Sequence, residues 1–231
     1  MIISVVNLKG GAGKTTLSTN LTFALSRKFH VLLIDTDLQR SASQWYENRK
    51  TEQDNFSVIS ITEPASLKKQ ISVFKTQYDH IIIDGAPQID LINATNIFIA
   101  DLVIIPVMPS PYDIWATETI LERITAAREI QPNKKAVFLL NRVNDQTALS
   151  KDAAEALNSF GFPVFKTKLH NRVVYADSAS SGDLHQFRQQ FAELGRAGHL
   201  QFVNQRGDEA VRILQGRCYL CQVLAVDTRT P

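Results

Sequence analysis

Short apolar runs rich in Ile, Val and Leu alternate along the chain with segments of helical periodicity. Runs of this length and composition are typical of buried strands. We expect strands at residues 2–6, 30–35, 56–61, 78–84, 100–107 and 136–142. Leu17, Leu21 and Leu25 lie four residues apart and predict a helix directly after the first strand. The alternation predicts an α/β fold, with a mostly parallel, twisted sheet and helices on both of its faces.

Several weaker patterns complete this outline. Residues 56–61 alternate apolar and polar side chains, which indicates a peripheral strand. Helical spacing predicts a short amphipathic helix at residues 65–74, and another at 147–160 with Ala153, Ala156 and Leu157 facing inward. Residues 185–200 could supply a further helix near the end of the chain.

A glycine-rich stretch between the first strand and the first helix carries the clearest candidate chemistry. Its glycines let the backbone curl so that several N–H groups point at one anion, and the helix N-terminus adds partial positive charge. Lys14 can then reach the β- and γ-phosphates of a nucleotide, and the Thr15 hydroxyl can bind Mg²⁺. The residues expected to bind ATP here are Lys9, Gly10, Gly11, Ala12, Gly13, Lys14, Thr15 and Thr16.

This loop departs from the common pattern G-x-x-x-x-G-K-[ST]. Leu8 stands where the pattern has glycine, and Lys9 adds a second lysine. Two lysines in one loop repel each other unless more negative charge arrives. We therefore expect further negative charge to arrive beside Lys9; the alternative is a glycine-rich turn with a solvated lysine.

Carboxylates stand at the ends of two predicted strands. Asp35 and Asp37 follow one strand, and Asp84 ends another. The carboxyl ends of parallel strands line the ligand crevice, so we expect these acids near the phosphates. Asp84 is predicted to hold Mg²⁺ directly or through a water, opposite Thr15. The alternative for Asp35 and Asp37 is that they cap the following turn.

Composition narrows the function classes. The chain has 231 residues, 44% of them hydrophobic, which suits a single α/β domain over residues 1–231. Its formal net charge is +2, so any contact with nucleic acid must come from a local patch. The sequence shows no secretion signal and no run long enough to span a membrane, and its two cysteines lie near the C-terminus. We therefore expect a protein of the reducing cytoplasm.

The loop K-G-G-x-G-K-T, the segment D-T-D-L-Q at residues 35–39 and the strand ending at Asp84 together resemble the ParA/MinD family of deviant Walker A ATPases. The three motifs occur in that family's order and spacing. The resemblance covers residues 1–182 and is closest to small, ParF-like plasmid partition proteins, which lack an N-terminal helix-turn-helix. Leu38 departs from the family's D-x-D-P-Q, where proline is usual.

The resemblance implies roles for individual residues. Lys9 would cross a dimer interface to the phosphates bound by the partner subunit, and would act in catalysis with Lys14 and Asp37. Asp37 would orient or activate the attacking water, while Asp35 would support the Mg²⁺ shell. Asn141 would hydrogen-bond the adenine, since an amide can both donate and accept. The alternative for Asn141 is that it initiates a turn.

A proline-rich stretch follows the strand at residues 100–107. By resemblance, Pro109, Pro111 and Tyr112 border the nucleotide and the dimer interface. The alternative, compatible with the first, is that Tyr112 and Trp115 are core residues of a helix that begins near Asp113.

A basic cluster lies in the segment that resembles the last family strand and the loop after it. Lys166, Lys168 and Arg172 are the candidate DNA-binding residues, through salt-sensitive and sequence-independent contacts with phosphate. The alternative is a solvated strand edge.

The tail at residues 183–231 diverges from the family. Cys218 and Cys221 have the spacing of metal ligands, but no second pair of ligands is evident in the sequence. A membrane-targeting helix would need a basic face, and the tail holds few arginines. A late shift of reading frame would also produce such a tail.

The sequence thus predicts a slow, switch-like ATPase that uses ATP and Mg²⁺. By resemblance, ATP drives homodimerisation and nonspecific DNA binding at the nucleoid, and a ParB-like or other centromere-binding partner stimulates hydrolysis during plasmid or chromosome partition. The alternatives are a membrane-cycling ATPase similar to MinD and a nucleoid-based ATPase that positions protein cargo. The sequence does not distinguish cargo, partner, or polymers beyond the dimer.

Overall fold

The strands of a computed structural model form one sheet. The model describes residues 1–49, 55–87, 91–144, 146–170 and 202–203. The strands are β1 Ile2–Val5, β2 Val31–Asp35, β3 Phe56–Ser60, β4 His80–Asp84, β5 Leu102–Val107, β6 Lys135–Leu140, β7 Val164–Phe165 and β8 Phe202–Val203. Their order across the sheet is β3-β2-β4-β1-β5-β6-β7-β8. All neighbours pair in parallel except β7 and β8, which are antiparallel.

Helices connect the parallel strands and cover both faces of the sheet. They are α1 Lys14–Ser26, α2 Ser41–Glu47, α3 Pro64–Gln77, α4 Leu91–Ile99, α5 Pro111–Trp115, α6 Glu118–Ile130 and α7 Ala148–Asn158. One hydrophobic cluster packs α1 and α2 on one face, and a second packs α3, α4, α6 and α7 on the other. Within β2, Leu32 belongs to one cluster and Leu33 to the other, because successive side chains point to opposite faces. The predicted α/β fold, mostly parallel and covered on both faces, is confirmed.

The strand register decides which side chains meet at the carboxyl edge. In the pairing of β2 with β4, Asp35 lies opposite Asp84. In the pairing of β1 with β4, Val5 lies opposite Asp84, and the chain then enters the glycine-rich loop. The phosphate loop and the acidic residues therefore share one edge of the sheet.

The predicted elements are largely confirmed. The alternating segment forms β3 at the sheet edge, and the expected helix at 65–74 is longer, beginning at Pro64. Thr147 is the N-cap of α7, where its side chain accepts a hydrogen bond from the Ser150 N–H. Tyr112 and Trp115 are 74% and 60% exposed, so the interpretation that they are core residues is wrong.

Some predictions fall outside the described residues. These are the helix at 185–200, Arg172, and the cysteine pair Cys218 and Cys221. Among the helices that the structure does describe, none is long and apolar enough to cross a bilayer.

His80, the first residue of β4, is buried rather than at the surface. Its ring packs edge-on against Phe29, with 4.8 Å between the ring centroids. Burial is the main cause that lowers the pKa of His80 from its ordinary value of 6.5. The folded chain therefore binds a proton at this site less readily than the unfolded chain does, and the folded state loses stability as the pH falls below 6.5.

Replacing His80 with glutamine should make the fold less sensitive to acid. We expect the melting temperature of the wild type to fall more steeply than that of H80Q between about pH 7.5 and pH 5.5. Only in the wild type does unfolding expose a histidine that then takes up a proton. The raised pKa values of Asp35 and Asp84 act in the opposite direction in both proteins, so the difference between the two slopes is the measurement. Equal slopes would contradict the prediction.

Candidate nucleotide-binding site

The glycine-rich loop between β1 and α1 has the backbone geometry of an anion cradle. Gly11 and Gly13 have φ of 75° and 91°, in the left-handed region that favours glycine. At Gly13 an added Cβ would also collide with the side-chain amide nitrogen of Asn141. Gly13 is the N-cap of α1, so the helix begins with Lys14 and its first N–H groups face the loop.

Lys14 is buried within this loop. Its Nζ donates to the Lys9 carbonyl oxygen at 3.0 Å. Burial is the main cause that lowers the pKa of Lys14, and the nearby carboxylates Asp84 and Asp37 oppose that effect. An ammonium group that is largely removed from water is well suited to bind phosphate oxygens.

Asp84 lies beneath the start of α1, buried and held by two hydroxyl groups. Thr15 donates to Asp84 Oδ2 at 2.7 Å and Ser18 donates to Oδ1 at 2.9 Å. Burial raises the pKa of Asp84 to about 7. A hydroxyl and a buried carboxylate in contact beside a phosphate cradle are the oxygen ligands that Mg²⁺ prefers, so these residues fit the metal that the sequence predicts.

Asp35 is buried and organises the segment that carries Asp37. Its Oδ1 accepts from the Asp37 N–H at 3.1 Å, and its Oδ2 accepts from the N–H and hydroxyl of Ser43 at 2.9 and 3.1 Å. Both oxygens of Asp35 thus have partners, one in the turn after β2 and one in α2. Any support that Asp35 gives to a metal shell is therefore indirect on this geometry, and its metal role stays a prediction.

Asp37 is half-buried and close enough to Lys14 to affect the pKa of that group. Its Oδ1 accepts from the Gln39 N–H at 3.0 Å, so the turn-capping interaction considered above is present. This capping bond uses one of the two carboxylate oxygens of Asp37. The role of Asp37 in orienting water stays a prediction.

Lys9 has a partner within its own subunit. Its Nζ contacts Asp113 Oδ2 at 2.8 Å; the Lys9 side chain is 41% exposed, while that of Asp113 is 3% exposed. Part of the negative charge that the second lysine needs thus comes from Asp113, which α5 brings against the loop. The role of Lys9 across a dimer interface stays a prediction. Asn7 fixes the backbone here, with its Oδ1 accepting from the Lys9 N–H at 2.9 Å.

Asn141 follows β6 and packs against the loop. Its Nδ2 donates to the Ala12 carbonyl oxygen at 2.8 Å, and its Oδ1 accepts from the Arg142 N–H at 2.9 Å. Asn141 therefore braces the phosphate loop. Its contact with adenine stays a prediction.

The residues predicted for dimerisation and DNA binding lie away from the core. Pro111 and Tyr112 are exposed and Pro109 is half-buried, with Tyr112 stacked edge-on against Trp115 at 5.6 Å between centroids. Lys166 is exposed and Lys168 is half-buried, just after β7. Their surface positions are compatible with the predicted roles and do not test them.

Sequence reasoning missed the residues that support these groups. They are Asn7, Ser18, Thr36, Ser43, Asn96 and Asp113. Ser18 was the most accessible of them to such reasoning, since it lies one helical turn after Thr15 on the same face of α1. Asp113 carries no local signal, because its partner Lys9 is 104 residues away in the chain.

Comparison with known proteins identifies the family. Residues 3–185 match the family described as the CobQ/CobB/MinD/ParA nucleotide-binding domain. The chain belongs to this family. The resemblance to ParA and MinD proteins is thereby confirmed.

Two curated proteins and one solved structure are similar to this chain. The carboxysome distribution protein A of Halothiobacillus neapolitanus is 30% identical over 181 residues, which cover 78% of this chain and 84% of that protein. The sporulation initiation inhibitor protein Soj of Bacillus subtilis is 27% identical over a match that covers 78% of this chain and 88% of Soj. A structure of McdA from Cyanothece in complex with ATP has the same fold, with a TM-score of 0.72 and 17% identity over 100% of this chain and 98% of that one.

Replacing Asp84 with asparagine should uncouple Mg²⁺ from nucleotide binding. We expect ATP affinity measured with Mg²⁺ to fall by about 10-fold or more, because the amide keeps the shape of the carboxylate but lacks its charge. Affinity measured in EDTA should not change. The control is D79N, which alters the aspartate directly before β4, whereas Asp84 ends that strand. Titration calorimetry with and without Mg²⁺ gives both values, and an unchanged Mg²⁺ effect in D84N would contradict this assignment.

Proposed function

We propose that this protein is a slow ATPase that works as a switch in DNA segregation, and that ATP controls whether it forms a dimer. The observation that carries the proposal is the second lysine of the loop. Lys9 lies at the rim of the nucleotide site, half exposed, with its charge balanced by a single buried carboxylate. The Lys9 side chain could therefore rotate toward a second subunit while the backbone of the loop stays in place.

The residues of the site divide the work of hydrolysis. Lys14 and the N–H groups at the start of α1 bind the phosphates, and Thr15 with Asp84 would hold Mg²⁺. When bound, Mg²⁺ neutralises negative charge on the phosphate oxygens. Asp37 orients the attacking water, and Asn7, Asp35 and Asn141 keep the surrounding segments in place.

Dimerisation would connect this site to DNA. Lys9 of each subunit leaves Asp113 and contacts the phosphates held by the other subunit, with Pro109, Pro111 and Tyr112 at the interface. Lys166, Lys168 and Arg172 of both subunits then form two basic patches on one particle. Two weak patches held together bind nonspecific DNA far more tightly than one, which would place the dimer on the nucleoid of the cytoplasm. A ParB-like or other centromere-binding partner would stimulate hydrolysis and release the dimer.

The cargo is proposed to be a plasmid or chromosome. A second candidate is protein cargo, because relatives named for carboxysome distribution are 30% and 33% identical to this chain. Pull-down with the products of neighbouring genes would distinguish these two. A membrane-cycling ATPase similar to MinD is the third candidate, and pelleting with liposomes and ATP would detect it.

Replacing Lys9 with alanine should abolish ATP-dependent dimerisation while leaving ATP binding to the monomer. Without Lys9, each subunit lacks the charge that reaches its partner's phosphates. Light scattering coupled to size exclusion, with ATP, ADP and no nucleotide, measures the oligomeric state. Asp113→Asn is the informative counterpart: it removes the carboxylate that holds Lys9, so we expect dimers at lower ATP concentration. Unchanged dimerisation of K9A would contradict the role of Lys9 across the interface.

DNA binding should require ATP and should weaken with salt. We expect fluorescence anisotropy with a random-sequence duplex to show binding with ATP but not with ADP, and log Kd to rise linearly with log salt concentration. Replacing Lys166 and Lys168 with glutamine should reduce the salt slope by about 1 for each DNA phosphate that the variant no longer neutralises. Lys68 and Lys69 on α3, at the other end of the sheet, provide a control that removes the same charge. Equal effects of the two double variants would overturn the location of the patch.

A further inference from the structure

A series of buried hydrogen bonds joins α4 to the segment that carries Asp35 and Asp37. Asn96 on α4 donates from Nδ2 to the Thr36 hydroxyl oxygen at 2.9 Å. That hydroxyl donates to the Asp84 carbonyl oxygen at 2.7 Å, and the Thr36 N–H donates to the same oxygen at 3.0 Å. All three residues are buried.

These hydrogen bonds matter because of where Thr36 lies. Thr36 stands between Asp35 and Asp37. Its two hydrogen bonds therefore attach the segment with both acids to the backbone of Asp84. A hydroxyl group rotates and has one proton. The Asp84 carbonyl oxygen can only accept, so the Thr36 hydroxyl donates its one proton there and its oxygen accepts from Asn96. Asn96 therefore adds a bond from α4 that holds the Thr36 hydroxyl in place between the two acidic segments.

Packing alone does not account for an amide at this position. Among the described residues, no donor lies within hydrogen-bond distance of Asn96 Oδ1, which is buried. An unpaired buried carbonyl oxygen costs about 1–3 kcal/mol, and a leucine of similar size would avoid that cost. Its helix neighbours Ile92 and Ile97 are buried in the hydrophobic cluster. The amide is explained by its N–H groups, which donate to the Thr36 hydroxyl oxygen at 2.9 Å and to Asn93 Oδ1 at 3.4 Å.

Helix α4 is held close enough to the strand ends to act as a fixed reference. Asn93 donates from Nδ2 to the Ala86 carbonyl oxygen at 2.7 Å. At Gly85, an added Cβ would come within 2.7 Å of the Val5 carbonyl oxygen and 3.0 Å of Asn93 Oδ1. There is no space for a side chain between the helix and the strands, so the position of Asn96 relative to Thr36 is tightly constrained.

We propose that Asn96 is a positioning residue: through Thr36 it keeps the turn with Asp35 and Asp37 in register with Asp84. The effect on hydrolysis rests on the proposed function. The effect on the turn does not, and it can be measured without nucleotide.

The test compares Asn96→Leu with Thr95→Val. Thr95 is the neighbour of Asn96 on α4, is also buried, and donates its hydroxyl only within its own helix, to the Leu91 carbonyl oxygen. Amide hydrogen exchange of the protein without nucleotide should be faster at residues 36–43 in N96L than in the wild type, and unchanged in T95V. In the presence of ATP and DNA, kcat should fall by about 10–100-fold in N96L while KM for ATP stays unchanged, because misplaced acids affect the reacting geometry more than phosphate binding.

Substitutions of Thr36 make the test independent of how well N96L folds. Thr36→Val keeps the side-chain shape without the hydroxyl and should reproduce both effects, while Thr36→Ser keeps the hydroxyl and should restore wild-type behaviour. The double variant N96L/T36V should be no worse than either single variant, since both remove the same connection.

The outcomes separate the two proposals. Wild-type exchange rates at residues 36–43 in both N96L and T36V would overturn the inference, and so would faster exchange with a kcat equal to that of T95V. If the wild type hydrolyses no ATP, the proposed function fails, while the exchange measurement still decides whether Asn96 holds the turn.

Discussion

The burial of the Asp84 carboxylate at the end of β4 is the constraint on which the rest of the site depends. A carboxylate removed from water is costly unless donors surround it. Thr15 and Ser18 supply two donors from α1, which attaches the first helix and the loop before it to the sheet. Burial also raises the pKa of this group to about 7, so a cation beside it is strongly favoured once the proton leaves. The phosphate loop and the predicted metal site are therefore parts of one arrangement, built on the β1–β4 pairing.

Asp35, in the second acidic segment, is also a buried carboxylate held by hydrogen-bond donors, but its donors come from a different part of the fold. Asp35 lies opposite Asp84 in the register, and two buried carboxylates at adjacent strand ends would repel each other. The oxygens of Asp35 instead accept from Asp37, in the turn after β2, and from Ser43, in α2. One acid thus faces α1 and the other faces α2. A shift of α1 would therefore change the hydrogen bonds of Asp84, and a shift of α2 would change those of Asp35.

The sequence allowed the sheet and the position of the phosphate site to be predicted, because both depend on local patterns. Short apolar runs predict strands, and a parallel sheet brings their carboxyl ends to one edge. Side-chain partners depend on which strands become neighbours, and this was not evident. Lys9 contacts Asp113 and Asn141 contacts Ala12 because β5 and β6 follow β1 across the sheet, although the partners are 104 and 129 residues apart in the chain. The exposure of Tyr112 and Trp115 was equally hidden, since a helix as short as α5 has too few residues to show a period.

The ion pair between Lys9 and Asp113 explains how a loop with two lysines can be stable within a single subunit. Asp113 is buried, so removing Lys9 leaves a carboxylate with little solvation. Breaking a fully buried pair costs about 3–5 kcal/mol. The cost here is smaller, because the Lys9 side chain is 41% exposed and water already screens part of the attraction. A triphosphate carries more negative charge than one carboxylate, so phosphates held by a second subunit would compete well for this lysine, and a subunit without nucleotide would not. If Lys9 acts across the interface as proposed, Asp113 would set the threshold of that switch: a weaker hold on Lys9 would permit dimers without ATP, and a stronger one would prevent them even with ATP.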